Sequence, residues 1–129
     1  MTIKTILLVD DDRILQNVMN DVLTSLGYNI ILANNGCDAI NAYKKHFDVV
    51  DIILSDYEMP GIDGIELLSK CKNINSNLKT ILLSGRNISI ELEQMSVIGK
   101  DDFAKAVDYF VQKPFKIEDI IQKNCVTNH

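Results

Sequence analysis

The sequence predicts an α/β protein in which a parallel β-sheet is covered by helices on both faces. Three observations carry this. Five short apolar runs recur along the chain, helix-period segments lie between them, and the runs are continuous rather than alternating in polarity. Unbroken apolar strands belong in a sheet buried on both faces, and strands that alternate with helices build βαβ units. Crossovers in such units are right-handed, which leaves few topologies. The length agrees: 129 residues make one domain at about 150 residues each.

The first run, Thr5–Val9, closes on Asp10, Asp11 and Asp12. Beyond it Ile14, Leu15, Val18, Met19, Val22, Leu23 and Leu26 keep the spacing of one helix face, with Asp12 as the N-cap and Gly27 as the stop. Asn29–Ala33 is the second strand, and a second helix follows from about Cys37 to Lys45 with Ala39, Ile40 and Tyr43 inward. The third strand, Ile52–Ser55, delivers Asp56 and then a Met59-Pro60-Gly61 turn. Asp63 and Glu66 have capping-box spacing, so the third helix opens at Asp63 with Ile65, Leu68 and Cys71 as its inner stripe. Thr80–Ser84 is the fourth strand. The segment 87–107 holds one helix or two, because Gly99 and Lys100-Asp101-Asp102 break its pattern. Tyr109–Val111 is the fifth strand; it leads into Lys113-Pro114-Phe115, and Ile117, Ile120 and Ile121 mark a short last helix.

Composition narrows the function. The 47% apolar and 24% charged fractions are those of an ordinary globule. Thirteen basic against eighteen acidic residues leave a net charge of −5, which disfavours nucleic-acid binding, since that needs a basic face. No apolar run approaches the ~20 residues of a membrane span. The longest run near the start is only Ile6–Val9, too short for a signal-peptide core, so a cytoplasmic protein is expected. Cys37, Cys71 and Cys125 are an odd count without a Cys-x-x-Cys pair and read as reduced thiols. Neither they nor His46 and His129 have the spacing of a zinc site.

Chemistry collects at the strand ends. In an open α/β sheet, ligands bind outside the carboxyl ends of the strands. There the strands deliver Asp10, Asp11 and Asp12, then Asp56, then Ser84, then Lys113. Each has a plain structural role open to it: cap, turn former, or solvated charge. Together they are harder to explain that way. Carboxylates ~5 Å apart repel by about 3 kcal/mol per pair at an effective dielectric near 20, and one lysine cannot neutralise three. A cluster of hard oxygen ligands suits a divalent cation such as Mg²⁺. A hydroxyl and an ammonium facing it are what a phosphoryl group needs.

In order and context, Val9-Asp10-Asp11, Asp56 before Met59-Pro60-Gly61, Ser84 after an aliphatic strand, and Lys113-Pro114-Phe115 resemble a response-regulator receiver domain. The resemblance covers nearly the whole chain. It implies a flavodoxin-like, doubly wound (βα)5 fold with strand order 2-1-3-4-5. It further implies that Asp56 accepts a phosphoryl group from a histidine kinase or phosphotransfer protein. Asp11, Asp56 and the backbone carbonyl of Glu58 would bind Mg²⁺ directly, and Asp10 would act through water or hydrogen bonds. Ser84 and Lys113 would each contact a phosphoryl oxygen, and the Lys113–Pro114 peptide would be cis. Ser84 and Phe110 would be the switch pair that alters a docking surface for a downstream protein. Glu58 and Arg86 would border the site; beyond the resemblance, they are expected to form a charge pair that gates water to the phosphoaspartate.

The chain also departs from the family's pattern. Ser84 stands where threonine is commoner, the span from Ser84 to Lys113 is long, and a glycine usual near Ala106 is missing. The segment before strand five is therefore expected to be rebuilt. With about fifteen residues after Lys113, residues 1–129 are expected to form a single receiver with no output domain, a monomer or weak dimer. It would not be an enzyme beyond its own phosphorylation and dephosphorylation. Two other functions compete. One is a degenerate receiver that serves as an interaction module. The other is a haloacid-dehalogenase-like phosphatase with Asp10 as nucleophile, although the acidic pair such enzymes carry on a later strand here falls in a helical pattern at Glu118 and Asp119. A flavodoxin-like nucleotide binder fits less well, because three aspartates at the first helix would repel phosphate.

Overall fold

Alternate side chains of each strand divide between two helix layers, and this division builds the fold. In a computed structural model, which describes residues 3–85 and 104–123, Leu7 and Val9 of β1 (Thr5–Val9) pack into one core while Ile6 and Leu8 pack into the other. β3 (Ile52–Asp56) and β4 (Lys79–Ser84) repeat the pattern: Ile53 and Leu82 lie on the first side, and Ile52, Leu54, Ile81 and Leu83 on the second. Two packed layers around one sheet follow directly from side chains that alternate every residue.

All the pairings are parallel, and with β2 (Asn29–Ala33) and β5 (Tyr109–Gln112) the sheet order is β2-β1-β3-β4-β5. This is the doubly wound order that the resemblance implied. Helices α2 (Gly36–His46) and α3 (Gly64–Ile74) cover the first face. Helix α1 (Arg13–Ser25) and the C-terminal helix (Ile117–Lys123) cover the other. Asp12 caps α1, its Oδ1 accepting from the amides of Ile14 (3.1 Å) and Leu15 (3.2 Å). Gly27 has φ +101° beyond the end of α1, a left-handed conformation that glycine adopts without strain. Asp63 caps α3 through the Glu66 amide at 2.9 Å. None of the described helices is long and apolar enough to cross a membrane.

Three expectations need correction. The apolar run of β2 is not buried on both faces: at the edge where the expected order puts it, Leu32 is 41% exposed and only Ala33 is buried, because a strand with one neighbour is covered on fewer sides. The apolar stripe of α1 is also wider than the surface it covers. Met19 and Leu23 are buried, whereas Ile14, Val18 and Leu26 face solvent, and the polar Gln16 is buried instead. On α3, Leu67 joins Leu68 and Cys71 in the core while Ile65 is only half-buried. Most of the 87–107 segment lies outside the described residues, as do Arg86, Cys125 and His129.

Candidate functional site

Three loops meet where β1, β3 and β5 end. The residue after β1, Asp10, is 1% exposed, and its backbone amide donates to the Ala33 carbonyl at 3.2 Å. Its Oδ1 accepts from the Asp12 amide at 2.9 Å. Its Oδ2 is buried and accepts no hydrogen bond from the described residues. Asp11 is exposed beside it. Asp56, the last residue of β3, is 8% exposed. Carboxylate oxygens of Asp10, Asp11 and Asp56 all lie within 4.8 Å of one another.

Lys113 enters from the far side of the sheet. Its Nζ lies 2.9 Å from Asp56 Oδ1, donating a hydrogen bond within an ion pair. Its backbone amide donates to Ser84 O at 2.7 Å, so the tip of β4 is tied to the turn that carries the lysine. The Lys113–Pro114 peptide is cis. Ser84 is buried at the end of β4, one residue beyond Leu83, which pairs with Asp56. Phe110 is half-buried in β5 and packs against the core under α2 and α3. Glu58 is exposed on the β3–α3 loop, and the expected Glu58–Arg86 pair falls outside the described residues. The structure thus gathers Asp10, Asp11, Asp56 and Lys113 at one point and puts Ser84 on the neighbouring strand tip.

The electrostatics are those of an under-neutralised pocket. Burial, reinforced by the charges of Asp56 and Asp11, pushes Asp10 up to about 6. Burial also raises Asp56, opposed by its hydrogen bond and charge pairing with Lys113. Desolvation and like charge both disfavour ionisation, and a bound cation would relieve both. The donor set fits Mg²⁺: hard carboxylate oxygens, one of them buried without a partner among the described residues.

Two residues that matter to the site gave no signal in the sequence. A Cβ at Gly64, the first residue of α3, would lie 2.5 Å from Asp56 O and 2.6 Å from Leu82 Cδ1. No larger residue lets α3 start this close beneath the Asp56 loop, where the Gly64 amide donates to Tyr57 O at 2.9 Å. Gln16 is the other. Its side-chain amide reaches the strand ends beside Asp10, and nothing local distinguishes it from a solvent-facing glutamine.

Comparison with known proteins agrees with this geometry. The family model described as the response regulator receiver domain matches residues 6–124. Sporulation initiation phosphotransferase F of Bacillus subtilis is 31% identical over 115 residues, covering 89% of this chain and 86% of its own. Chemotaxis protein CheY of the same organism is 30% identical over 118 residues, covering 91% of each. Among solved structures, that of the CheX–CheY–BeF3–Mg²⁺ complex from Borrelia burgdorferi superposes with a TM-score of 0.81 at 28% identity, over 96% of this chain and 88% of that one. A match across this much of the sequence, on a sheet whose strand ends carry the acidic cluster and the lysine, establishes that the chain belongs to the response regulator receiver domain family of two-component systems.

Proposed function

We propose that this chain is the phosphoacceptor of a two-component or phosphorelay pathway, with Asp56 as the residue modified. One observation carries the proposal: the Lys113 ammonium sits 2.9 Å from an Asp56 oxygen inside a three-carboxylate cluster. An Asp56 oxygen attacks the phosphorus of a phosphohistidine on a histidine kinase or phosphotransfer protein. The O–P bond forms as the N–P bond breaks, and the departing imidazole nitrogen keeps the bonding pair and takes a proton from solvent. Lys113 holds the attacking carboxylate ionised against the effect of its burial, then pairs with a phosphoryl oxygen, and the Ser84 hydroxyl donates to another. Asp10, Asp11, Asp56 and the Glu58 carbonyl would hold Mg²⁺, with Asp10 acting directly or through water. When bound, the ion neutralises charge on the carboxylates and the incoming phosphoryl group.

Geometry favours Asp56 over Asp10, the nucleophile of the phosphatase alternative, because Asp10 is the more deeply buried of the two and the Lys113 ammonium is hydrogen-bonded to Asp56. Phosphorylation would draw Ser84 and Phe110 into a second packing that changes the face offered to a downstream protein. The phosphoryl donors of such a pathway imply a cytoplasmic site of action. The test is incubation with Mg²⁺ and acetyl phosphate. The parent should acquire an alkali-labile phosphate, Asp56→Asn should take none, and a chelator should abolish labelling. Full labelling of Asp56→Asn would place the nucleophile elsewhere.

A further inference from the structure

Gln16 is a polar residue in the first turn of α1, only 3% exposed. Its Nε2 donates to Ala33 O at 2.8 Å and to Leu8 O at 3.3 Å, bridging the ends of β1 and β2. Ala33 O is also the acceptor for the Asp10 amide. Asp10 Oδ1 in turn accepts from the Asp12 amide, and Asp12 O accepts from the Gln16 amide at 3.0 Å. The four residues therefore close a ring of hydrogen bonds: Gln16 to Asp12, Asp12 to Asp10, Asp10 to Ala33, and Gln16 back to Ala33. One carboxylate oxygen of Asp10 is consumed inside that ring. The other, Oδ2, is buried and has no hydrogen-bond partner among the described residues, and a carboxylate oxygen of Asp10 lies within 4.8 Å of oxygens of Asp11 and Asp56.

We propose that Gln16 is a positioning residue for the acidic pocket: by closing this ring it fixes the Asp10 carboxylate with its free oxygen toward the cation, and so sets the affinity for Mg²⁺. The proposal deepens the Mg²⁺-dependent reading of the pocket and rests on it. A buried carboxylate with an unmet oxygen gains by rotating toward any available donor. Asp10 does not, because both its backbone amide and its Oδ1 are held, and the Gln16 side chain anchors the acceptor at one end of that restraint. Partners that orient a metal ligand are worth about 10–100-fold in metal affinity when removed.

The test is Mg²⁺ titration of the intact chain, read by tyrosine fluorescence, since Tyr57 adjoins Asp56 and the chain has no tryptophan. Gln16 borders an open cleft of about 580 Å³, so alanine would admit water to the exposed carbonyls. Leucine keeps the volume and removes the donors. Gln16→Leu should weaken Mg²⁺ binding about tenfold, with phosphorylation by acetyl phosphate recovering at saturating Mg²⁺. In an Asp10→Asn background the same substitution should add nothing, because its effect passes through Asp10. A merely structural role would add in full. Affinity within about twofold of the parent, or additivity with Asp10→Asn, would overturn the proposal. Should Gln16→Leu fail to fold, Gln16→Met carries the same comparison. A parent that binds no Mg²⁺ would be a separate result, one that removes the pocket's cation reading and this proposal with it.

Discussion

The two ends of the sheet use aspartate in opposite ways. Where the strands begin, Asp51 precedes β3 and Asp108 precedes β5, and both carboxylates are spent on the backbone. Asp51 Oδ2 accepts from the Thr5 amide at 2.9 Å, while its own amide donates to Thr5 O and its carbonyl accepts from Lys79. Asp108 Oδ2 accepts from the amide of the fully buried Thr80 at 2.9 Å, and Lys72 Nζ reaches both of its carboxylate oxygens. Thr80 Oγ1 accepts from the Asp108 amide and donates to Ala106 O, so the start of β5 is locked against β4. Where the strands end, Asp10, Asp11 and Asp56 crowd within 4.8 Å around one lysine, and an oxygen of Asp10 has nothing to accept from the described residues.

The same side chain therefore stabilises one end and strains the other. A carboxylate that completes a backbone hydrogen bond contributes to folding, whereas carboxylates that repel one another in a desolvated pocket cost stability until a cation arrives. Substituting acids at the two ends should break or sharpen this contrast. The largest effect belongs to Asp108→Ala. It leaves the buried Thr80 amide without its acceptor and Lys72 without its partner, at a cost of about 2–3 kcal/mol, nearly all from the orphaned amide. Urea unfolding should show the loss while Mg²⁺ affinity stays at the parent value. A large fall in affinity would mean that the two ends are coupled through β4 and β5.

The contrast also explains what could be read from the sequence. Strand ends rich in Asp, Ser and Lys mark the site, because the topology of an open parallel sheet brings those ends together whatever lies between them. The strand-start aspartates carry no such mark: Asp51 and Thr5 are 46 residues apart and Asp108 and Thr80 are 28 apart, so their pairing depends on register. The same holds for Gln16 and Gly64, whose roles come from backbone that reaches them only after folding. Helix periodicity placed Ile14 and Val18 with Met19, yet the sheet covers only part of that stripe. Local spacing fixes which residues share a helix face but not how much of it the sheet covers.

The second prediction concerns sign. Asp10→Asn keeps an acceptor for the Asp12 amide and removes one buried charge, so the metal-free protein should gain about 1–2 kcal/mol at pH 7, part of the roughly 3 kcal/mol that raising a carboxyl from 3.8 to about 6 represents. The pH profile identifies the cause. Folded Asp10 holds its proton up to about pH 6, whereas the unfolded carboxyl releases it near 3.8. Between those values the folded state binds more protons, so the stability of the parent should fall as pH rises from about 4 to 6 and then level off. In Asp10→Asn that decline should shrink to the part that Asp56 contributes with the same sign. Equal profiles in parent and variant would show that Asp10 carries no burden in the pocket.

The smallest effect applies the same substitution at the other end. Asp51→Asn retains a carbonyl oxygen that can accept from the Thr5 amide, and the two backbone bonds made by residue 51 are untouched. What disappears is the charge assistance to one hydrogen bond at a half-buried position, worth about 0.5 kcal/mol of lost stability. Asp51→Ala should cost about 1–2 kcal/mol, because the Thr5 amide then has no acceptor. If Asp51→Asn instead stabilised the fold as Asp10→Asn should, its charge would be a burden too, and the two ends would differ only in how many acids they hold. A small loss, opposite in sign to the gain at Asp10, would show that the same chemical change reads hydrogen-bond completion at one end and unrelieved charge at the other.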